Sequence, residues 1–222
     1  MLKLNANISE LIGVIIGDGN IYDKRPHYVE ITGNPISDRY YFELYLMKLI
    51  YKNLHYSPKL FFREGGIRIR INNKIFVEWI KDLGIPSGKY KFSKVFIPKP
   101  IKKSRKYLKF CLRGILDADG CVTFDKRKVY KSTYIRIALR MKNPRILSEI
   151  SLGMKTFKIN TTLSHKREIL YINGYKEVKK YLRIIGFSNS RHINRINSFY
   201  PELIRYNCGL IYNQASVAQL VE

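Results

Sequence analysis

Two short stretches of the chain each end in an aspartate that follows an apolar run. Residues 11–19 read LIGVIIGDG and residues 112–120 read LRGILDADG, so Asp18 and Asp119 occupy the same place in each stretch. Each run predicts a buried helix, and the last turn of a helix exposes carbonyl oxygens that carry partial negative charge. Carboxylates added at two such ends repel each other unless a cation lies between them. The stretches therefore predict a divalent cation site with hard oxygen ligands, suited to Mg²⁺ or Mn²⁺.

The small residues of the two stretches predict how these aspartates come together. Gly13 and Gly114 hold the third position of each stretch, while Gly17 and Ala118 stay small near its end. Small residues let two helix backbones approach closely. We therefore expect the two helices to lie side by side, related by a pseudo-twofold axis, with both aspartates at the same end of the pair.

The composition indicates which substrate such a site would meet. The chain has 222 residues, with 41 lysines and arginines against 17 acidic residues and a formal net charge of +24. That surplus repels itself in a compact protein unless a polyanion is the usual partner, and phosphate neutralisation makes nucleic acid the leading candidate. A membrane surface is less favoured, because the basic residues are spread along the chain and form no short polybasic anchor. Divalent ions between two acids on a basic surface are what metal-assisted phosphodiester hydrolysis requires.

Cysteine usage and the N-terminal sequence predict the compartment. Cys111, Cys121 and Cys208 are odd in number and have no metal-binding spacing, which is typical of a reduced intracellular protein. The N-terminal stretch lacks the layout of a signal peptide, and no apolar run is long enough to span a membrane. We expect a cytoplasmic protein that associates with the nucleoid through its nucleic-acid partner.

Around the two stretches, the predicted elements repeat in the same order, which indicates an internal duplication. WIKDLGIPSGK at residues 79–89 matches YLRIIGFSNSR at residues 181–191, and Asn34 matches Asn143, each being followed by proline. Each half reads as αββαββα, so we expect an α+β fold of two pseudo-symmetric repeats, each a four-stranded antiparallel sheet with helices, packed through the two apolar helices. The other expected elements are strands at residues 20–22, 28–32, 122–125 and 133–140, hairpins at 58–71 and 158–173, and helices at 37–53, 74–83, 144–156 and 175–185.

The same pattern divides the chain into four parts. We expect an N-terminal repeat at residues 1–91, a linker at 92–107, a C-terminal repeat at 108–195 and a tail at 196–222. Two prolines and a basic cluster interrupt the periodicity in the linker. Each repeat is small for an independent core, so we expect the two to share an interface. The last segment, ASVAQLVE, has two possible origins. It is either an amphipathic tail helix, or the reading frame continues into a transfer-RNA gene. The second is possible because codons for Val217–Glu222 can match the D-arm side of such a gene.

The two stretches resemble the LAGLIDADG motif of the homing endonucleases. LRGILDADG is the closer copy, and LIGVIIGDG keeps Leu11, Gly13, Ile15, Asp18 and Gly19. The resemblance covers about residues 8–195. With two motifs in one chain, the protein looks like the monomeric branch of this family. It implies a saddle of two sheets over the DNA major groove, with the motif helices between them, and a staggered double-strand cut across the minor groove. It also implies a role in intron homing.

The resemblance implies roles for particular residues. Asp18 and Asp119 match the family's metal-binding acids, with the backbone carbonyls of Gly17 and Ala118 as further ligands. Lys142 follows the second strand of its half, where the family often carries a glutamine or a lysine. This lysine either assists catalysis, by polarising the attacked phosphate or orienting water, or only contacts the DNA backbone. The first half has no lysine at the matching place.

Asp117 has no acidic counterpart, because Ile16 stands at the matching place of the first stretch. It therefore breaks the symmetry between the two copies. We favour a helix-end or interface carboxylate over a second metal ligand for this residue.

Four arginines predict the DNA-facing surface. Arg68 and Arg70 alternate with isoleucines in one hairpin, and Arg136 and Arg140 alternate with apolar residues in a strand of the second half. Because the side chains of a strand point alternately to its two faces, we expect these arginines to point away from the core. They can then bind guanine or phosphate, although a solvated sheet face is the plainer alternative.

Two rival functions use the same fold without DNA cleavage. The chain could be an RNA maturase that assists intron splicing, or a DNA-binding regulator built on an endonuclease fold. Both motif aspartates are present, which argues against the regulator, but a maturase can keep them too. The leading prediction is a site-specific DNA endonuclease that cuts a long asymmetric duplex as a monomer.

Overall fold

The computed structural model describes residues 2–88, 91–126 and 133–209, and of residues 91–92 it describes the backbone only. The first repeat begins with helix α1 (Ala6–Asp18), which leads directly into strands β1 (Gly19–Tyr22) and β2 (Tyr28–Gly33). A π-helical segment (Tyr41–Leu46) then continues into α2 (Met47–Leu54). The hairpin of β3 (Lys59–Arg63) and β4 (Gly66–Ile71) and the helix α3 (Lys74–Asp82) complete the repeat.

The second repeat follows two short helices, α4 (Lys91–Lys94) and α5 (Lys99–Lys103). It begins with α6 (Arg105–Asp119), which leads directly into a strand as α1 does. Its remaining elements are β5 (Gly120–Asp125), β6 (Tyr134–Arg140), α7 (Pro144–Thr156), β7 (Thr162–Leu163), β8 (Ile169–Asn173) and α8 (Gly174–Ile184). Helix α9 (Ser190–Asn197) and a 3-10 helix (Pro201–Tyr206) come last.

The two sheets share one topology. The strand order is β1-β2-β4-β3 in the first sheet and β5-β6-β8-β7 in the second, and all neighbouring strands are antiparallel. This confirms the predicted α+β fold with two four-stranded repeats. The second hairpin is shorter than expected, because β7 pairs with β8 at two positions only, Thr162 with Tyr171 and Leu163 with Leu170.

Local sequence signals fix where the two long apolar helices begin and end. The side chains of Asn5 and Ser104 each accept a backbone N–H from the first turn, of α1 and α6 respectively. Gly19 and Gly120 follow the last helical residue in an extended conformation and start the next strand. Each motif aspartate is therefore the final residue of its helix.

The core of each repeat lies between its sheet and its helices. In β4 and β6 the apolar residues at every second position are buried, whereas the arginines between them are partly or fully exposed. This alternation confirms that the arginines face away from the core. The buried positions are Ile67, Ile69, Ile71, Ile135, Ile137 and Leu139.

The predicted limits of the parts stay predictions, and a helix crosses each of the three limits: α4 at 91/92, α6 at 107/108 and α9 at 195/196. Helices α4 and α5 and the start of α6 occupy the predicted linker, residues 92–107. The chain beyond residue 195 packs back on the second repeat, since the N–H of Cys208 donates to the carbonyl of Leu182 at 3.0 Å. The segment ASVAQLVE lies outside the described residues. Along the described ranges, no helix is long and apolar enough to cross a membrane.

Candidate metal centre at the ends of the motif helices

Helices α1 and α6 end side by side, and a cleft of about 500 Å³ opens at their C-termini. Asp18 and Asp119 both line this first cleft, together with Gly17, Arg140 and Lys142. The predicted catalytic lysine and one predicted DNA-binding arginine thus lie at the two motif carboxylates. These residues come from both repeats, so the first cleft exists only where the two halves meet.

A second cleft, of about 490 Å³, lies at the end of α6. It is lined by Ser37, Ala118, Asp119, Arg191 and Arg195, among others. Asp119 therefore borders both clefts. The two arginines belong to α9, a helix that the sequence pattern does not predict.

The resemblance predicts that the carbonyls of Gly17 and Ala118 are equivalent metal ligands, but the carbonyl of Ala118 already accepts a hydrogen bond. The Nη2 of Arg191 donates to the carbonyl oxygens of Asp117 and Ala118, and its Nη1 donates to Asp38 at 3.0 Å. One lone pair of the Ala118 carbonyl is thus directed to a guanidinium. Its role as a metal ligand, like that of the Gly17 carbonyl, stays a prediction.

The residues at the helix ends suit a hard divalent cation. A Cβ built on Gly17 would lie 2.6 Å from the Cβ of Ala118 and 3.4 Å from Oδ2 of Asp119. Glycine therefore keeps the space beside the Asp119 carboxylate open. Within the described ranges, three or more His, Cys, Asp or Glu side chains do not cluster in a way that could hold a metal. A cation here would rest on the two carboxylates, backbone oxygens and water, which is how Mg²⁺ is usually held.

Asp117 lies in the interior. It is fully buried, and its carboxylate accepts the N–H of Ser188 at 3.0 Å and that of Asn189 at 3.0 Å. Burial, reinforced by the negative charge of Glu10, raises the pKa of Asp117 to about 8. These contacts join α6 to the loop before α9, as the favoured interface role requires.

Glu10 continues this buried network across the helix pair. Its Oε1 accepts the hydroxyl of Tyr45 at 2.6 Å and that of Ser188 at 3.3 Å, and its Oε2 lies 3.6 Å from Nη1 of Arg113. Burial raises the pKa of Glu10, while the positive charge of Arg113 opposes that rise. The network joins α1, the π-helical segment, α6 and the loop before α9 in one polar cluster.

The sheet arginines fall into two kinds. Arg68 and Arg70 both contact Glu30, whose carboxylate lies 3.0 Å from Nη1 of Arg68 and 2.5 Å from Nη2 of Arg70. Arg136 lies 3.2 Å from Asp125, and its side chain is 23% exposed. The fourth arginine, at position 140, is 76% exposed and its Nη2 lies 3.7 Å from Oε2 of Glu168, so it is the most exposed of the predicted DNA contacts.

Comparison with known proteins agrees with this architecture. The family model described as a LAGLIDADG-like domain matches residues 107–195. Residues 107–195 form a LAGLIDADG-like domain. The first repeat has a sheet of the same topology and so supplies a second copy of the fold.

Solved structures share the LAGLIDADG fold over both repeats. The homing endonuclease I-DmoI in complex with DNA and Ca is 18% identical, covering 81% of this chain and 89% of that chain, with a TM-score of 0.54. Full-length DUF199/WhiA from Thermatoga maritima is 17% identical, covering 97% of this chain and 65% of that chain, also with a TM-score of 0.54. At these identities the likeness establishes the fold.

One curated relative also matches the chain. The uncharacterized protein MJ0314 of Methanocaldococcus jannaschii is 25% identical over 148 residues, which is 64% of this chain and 52% of the relative. The chain thus spans about half the length of that relative.

The motif signals of the LAGLIDADG-like domain did not lead to every residue around the helix ends. The motifs do not predict Glu10 on α1, Asp38 before the π-helical segment, or Arg191 and Arg195 on α9, because these residues reach the helix ends from three separate parts of the chain. One signal was present in the sequence. Arg113 stands where the LAGLIDADG motif has alanine, and a cation inside a buried helix requires an acidic partner.

Proposed function

We propose that the protein is a site-specific DNA endonuclease of the homing type, which hydrolyses phosphodiester bonds with Mg²⁺ or Mn²⁺. The observation that carries this proposal is the position of Asp18 and Asp119 in one cleft with Lys142. Two carboxylates and a cationic donor between two basic sheets form a site suited to a phosphodiester. Structures of I-DmoI with DNA have been determined with Ca, with Mn and in the presence of Mg, which supports the choice of metal.

The roles of the site residues follow from their chemistry. Asp18 and Asp119 would hold the metal, which supplies Lewis acidity and stabilises negative charge on the leaving oxygen. Lys142 would donate to a non-bridging oxygen of the attacked phosphate and so favour the increase of negative charge there. A water oxygen bonds to phosphorus, the bond to one sugar oxygen breaks, and the proton lost by the water balances the one gained by the sugar hydroxyl.

The surface features support a long double-stranded target. The two sheets flank the motif helices, and exposed or half-buried arginines lie on the free faces of β4 and β6, which are inner strands of the two sheets. Strands β4 and β6 reach about 20 Å each at about 3.3 Å per residue. Two such sheets end to end would cover on the order of 12 base pairs at about 3.4 Å per pair. Because the two repeats differ in sequence, the half-sites should differ, and one chain acting as a monomer inside the cell would recognise an asymmetric site.

The match to DUF199/WhiA supports one rival function. Its TM-score equals that of I-DmoI, so the fold by itself does not specify cleavage. A DNA-binding regulator of this fold would bind a duplex and leave it intact. An RNA maturase would instead act on the intron RNA.

Cleavage of a randomised duplex library with Mg²⁺ tests the proposal, with recovery of the cut sequences. We expect a long, non-palindromic site, and we expect Asp18→Asn and Asp119→Asn to abolish the double-strand cut while binding in Ca²⁺ survives. Asp82→Asn, at an exposed position on α3, is the matched control and should cut normally. Sequence-specific binding without any cut in Mg²⁺ or Mn²⁺ would favour the regulator, and promotion of intron splicing alone would favour the maturase.

A further inference from the structure

The internal pseudo-symmetry relates the two clefts beside the motif helices to each other. The repeats align with Asp18 on Asp119 and with Asn34 on Asn143, so Ser37 in the second cleft corresponds to Ile146, which lines the first. The clefts also have nearly the same volume, about 500 and 490 Å³. A double-strand cut requires a place for one scissile phosphate of each strand, and two matched clefts that both include Asp119 meet that need.

The cations of the two clefts do not correspond. Lys142 lines the first cleft, and its counterpart in the first repeat is Gly33, which has no side chain to offer the second. In the second cleft the positive charge comes from α9, through Arg191 and Arg195. In the register that aligns residues 79–89 with 181–191, the position of Arg195 holds Ser93 in the first half. Lys142 and Arg195 therefore each stand at a place where the other repeat carries a small residue.

The two arginines of α9 are held differently. Arg191 is bound to Asp38 and to the last carbonyls of α6, with its side chain only 25% exposed. Arg195 is exposed, and its Nε donates to the carbonyl of Val122, a residue that also lines the second cleft. That bond uses one of the five N–H donors of the guanidinium and fixes the side chain at the edge of the cleft.

We propose that Arg195 binds the scissile phosphate in the second cleft and does for that strand what Lys142 does for the other. This inference rests on the proposed endonuclease function. Arg191 is then a positioning residue, which ties the end of α6 to Asp38 of the first repeat and keeps Asp119 between the clefts. The two strands are thus cut with the help of chemically different cations, a planar guanidinium and an ammonium.

Strand-resolved cleavage tests the proposal. The duplex target carries a different label on each strand, and the rate of cutting is measured separately for each. Arg195→Ala should slow one strand on the order of 100-fold, the usual loss when one donor to a developing negative charge is removed. Lys142→Ala is the matched control and should slow the opposite strand. Arg195→Lys should recover part of the lost rate, and thermal unfolding should be the same for all variants.

A binding measurement without catalysis keeps this test separate from the proposed function. Each scissile phosphate in turn is replaced by a neutral methylphosphonate, and affinity is measured in Ca²⁺. Arg195→Ala should weaken binding to the native duplex and to the duplex neutralised on the strand that Lys142 serves. It should not weaken binding to the duplex neutralised on its own strand.

Equal slowing of both strands by Arg195→Ala would overturn the proposal, as would equal losses of affinity for both methylphosphonate duplexes. A wild-type protein that binds the site but cuts neither strand would refute the proposed function instead. In that case the methylphosphonate comparison still decides whether Arg195 contacts the phosphate.

Discussion

Gly13 and Gly114 face each other across the crossing of the two motif helices. A Cβ built on Gly13 would overlap the carbonyl oxygen of Cys111 and lie 3.0 Å from the nitrogen of Ile115. A Cβ on Gly114 would overlap the carbonyl oxygen of Glu10 in the same way. The helices therefore meet backbone against backbone, and each glycine touches the residue that precedes its partner by three positions.

Alanine at either crossing glycine should destabilise the protein. Gly13→Ala and Gly114→Ala each force the helices apart, because a backbone carbonyl cannot rotate away as a side chain can. We expect the free energy of unfolding to fall by about 3 kcal/mol for each, with the double variant losing less than the sum because one separation relieves both contacts. Denaturant unfolding measures these values.

Gly153→Ala is the matched control for that experiment. Gly153 also lies inside a helix, but the nearest atoms to its Cβ would be flexible methyl groups, of Leu112 at 3.3 Å and of Leu108 at 3.5 Å. We expect a change within about 1 kcal/mol of the wild type, since alanine favours the helix. An equal loss at positions 13 and 153 would show that the crossing imposes no special constraint.

Asp117 should make the protein less stable as the pH rises. Its pKa is about 8 in the folded protein, against an ordinary value near 4 in the unfolded chain. Between these values the folded state keeps a proton that the unfolded state has lost, so the free energy of unfolding falls with increasing pH. One such proton contributes a slope of at most about 1.4 kcal/mol per pH unit. Asp117→Asn should flatten the slope measured by denaturant unfolding from pH 5 to 8.

Two comparisons isolate this effect. Asp82→Asn, at an exposed position on α3, should leave the slope unchanged. Burial lowers the pKa of His192 to about 3, so its contribution is complete above the unfolded pKa and is lost as the pH falls below about 6.5. The window from pH 7 to 8 is therefore free of that histidine. Parallel slopes for wild type and Asp117→Asn in this window would contradict the prediction.

Glu30 should restrain the DNA affinity of the first sheet. It is 6% exposed and contacts both Arg68 and Arg70. Glu30→Gln removes its charge and leaves two cations to meet phosphate, so we expect tighter binding to any duplex and a steeper dependence on salt. The same change should lower the free energy of unfolding by about 1–3 kcal/mol, because it weakens charge-assisted hydrogen bonds to both arginines. Glu78→Gln, in an exposed ion pair on α3, is the control and should change neither the affinity for DNA, nor its salt dependence, nor the stability.

The two arginines of β6 should respond differently to substitution. Arg140→Ala should weaken DNA binding more than Arg136→Ala, because the side chain of Arg140 is 76% exposed and its partner Glu168 is also exposed, whereas Arg136 is 23% exposed and its partner Asp125 is largely buried. Titrations at several salt concentrations measure both effects, and losing one phosphate contact should reduce the salt slope by about 0.9. Arg183→Ala, exposed on α8, is the control. A larger effect from Arg136 would place the DNA along the middle of the strand.

The sequence by itself determined the repeated architecture and the place of the motif aspartates. Helix ends follow from caps and glycines, strands follow from alternation, and both signals lie within a few neighbouring residues. The small residues at positions 13 and 114 also predicted the helix crossing, because two helix backbones can touch only where both carry small residues. The excess of positive charge is likewise evident from the composition alone.

Only the tertiary structure decided which polar groups meet behind those aspartates. Asp117 and Ser188 are 71 residues apart in the chain, and Arg191 and Asp38 are 153 apart. No local pattern encodes such pairs, because packing within the second repeat brings the first pair together and packing between the repeats brings the second. The pairing of Glu30 with two arginines depends in the same way on the register of β2 against β4, which sets Glu30 opposite Arg70. An arginine is recognised as exposed or neutralised only when the strand beside it is known.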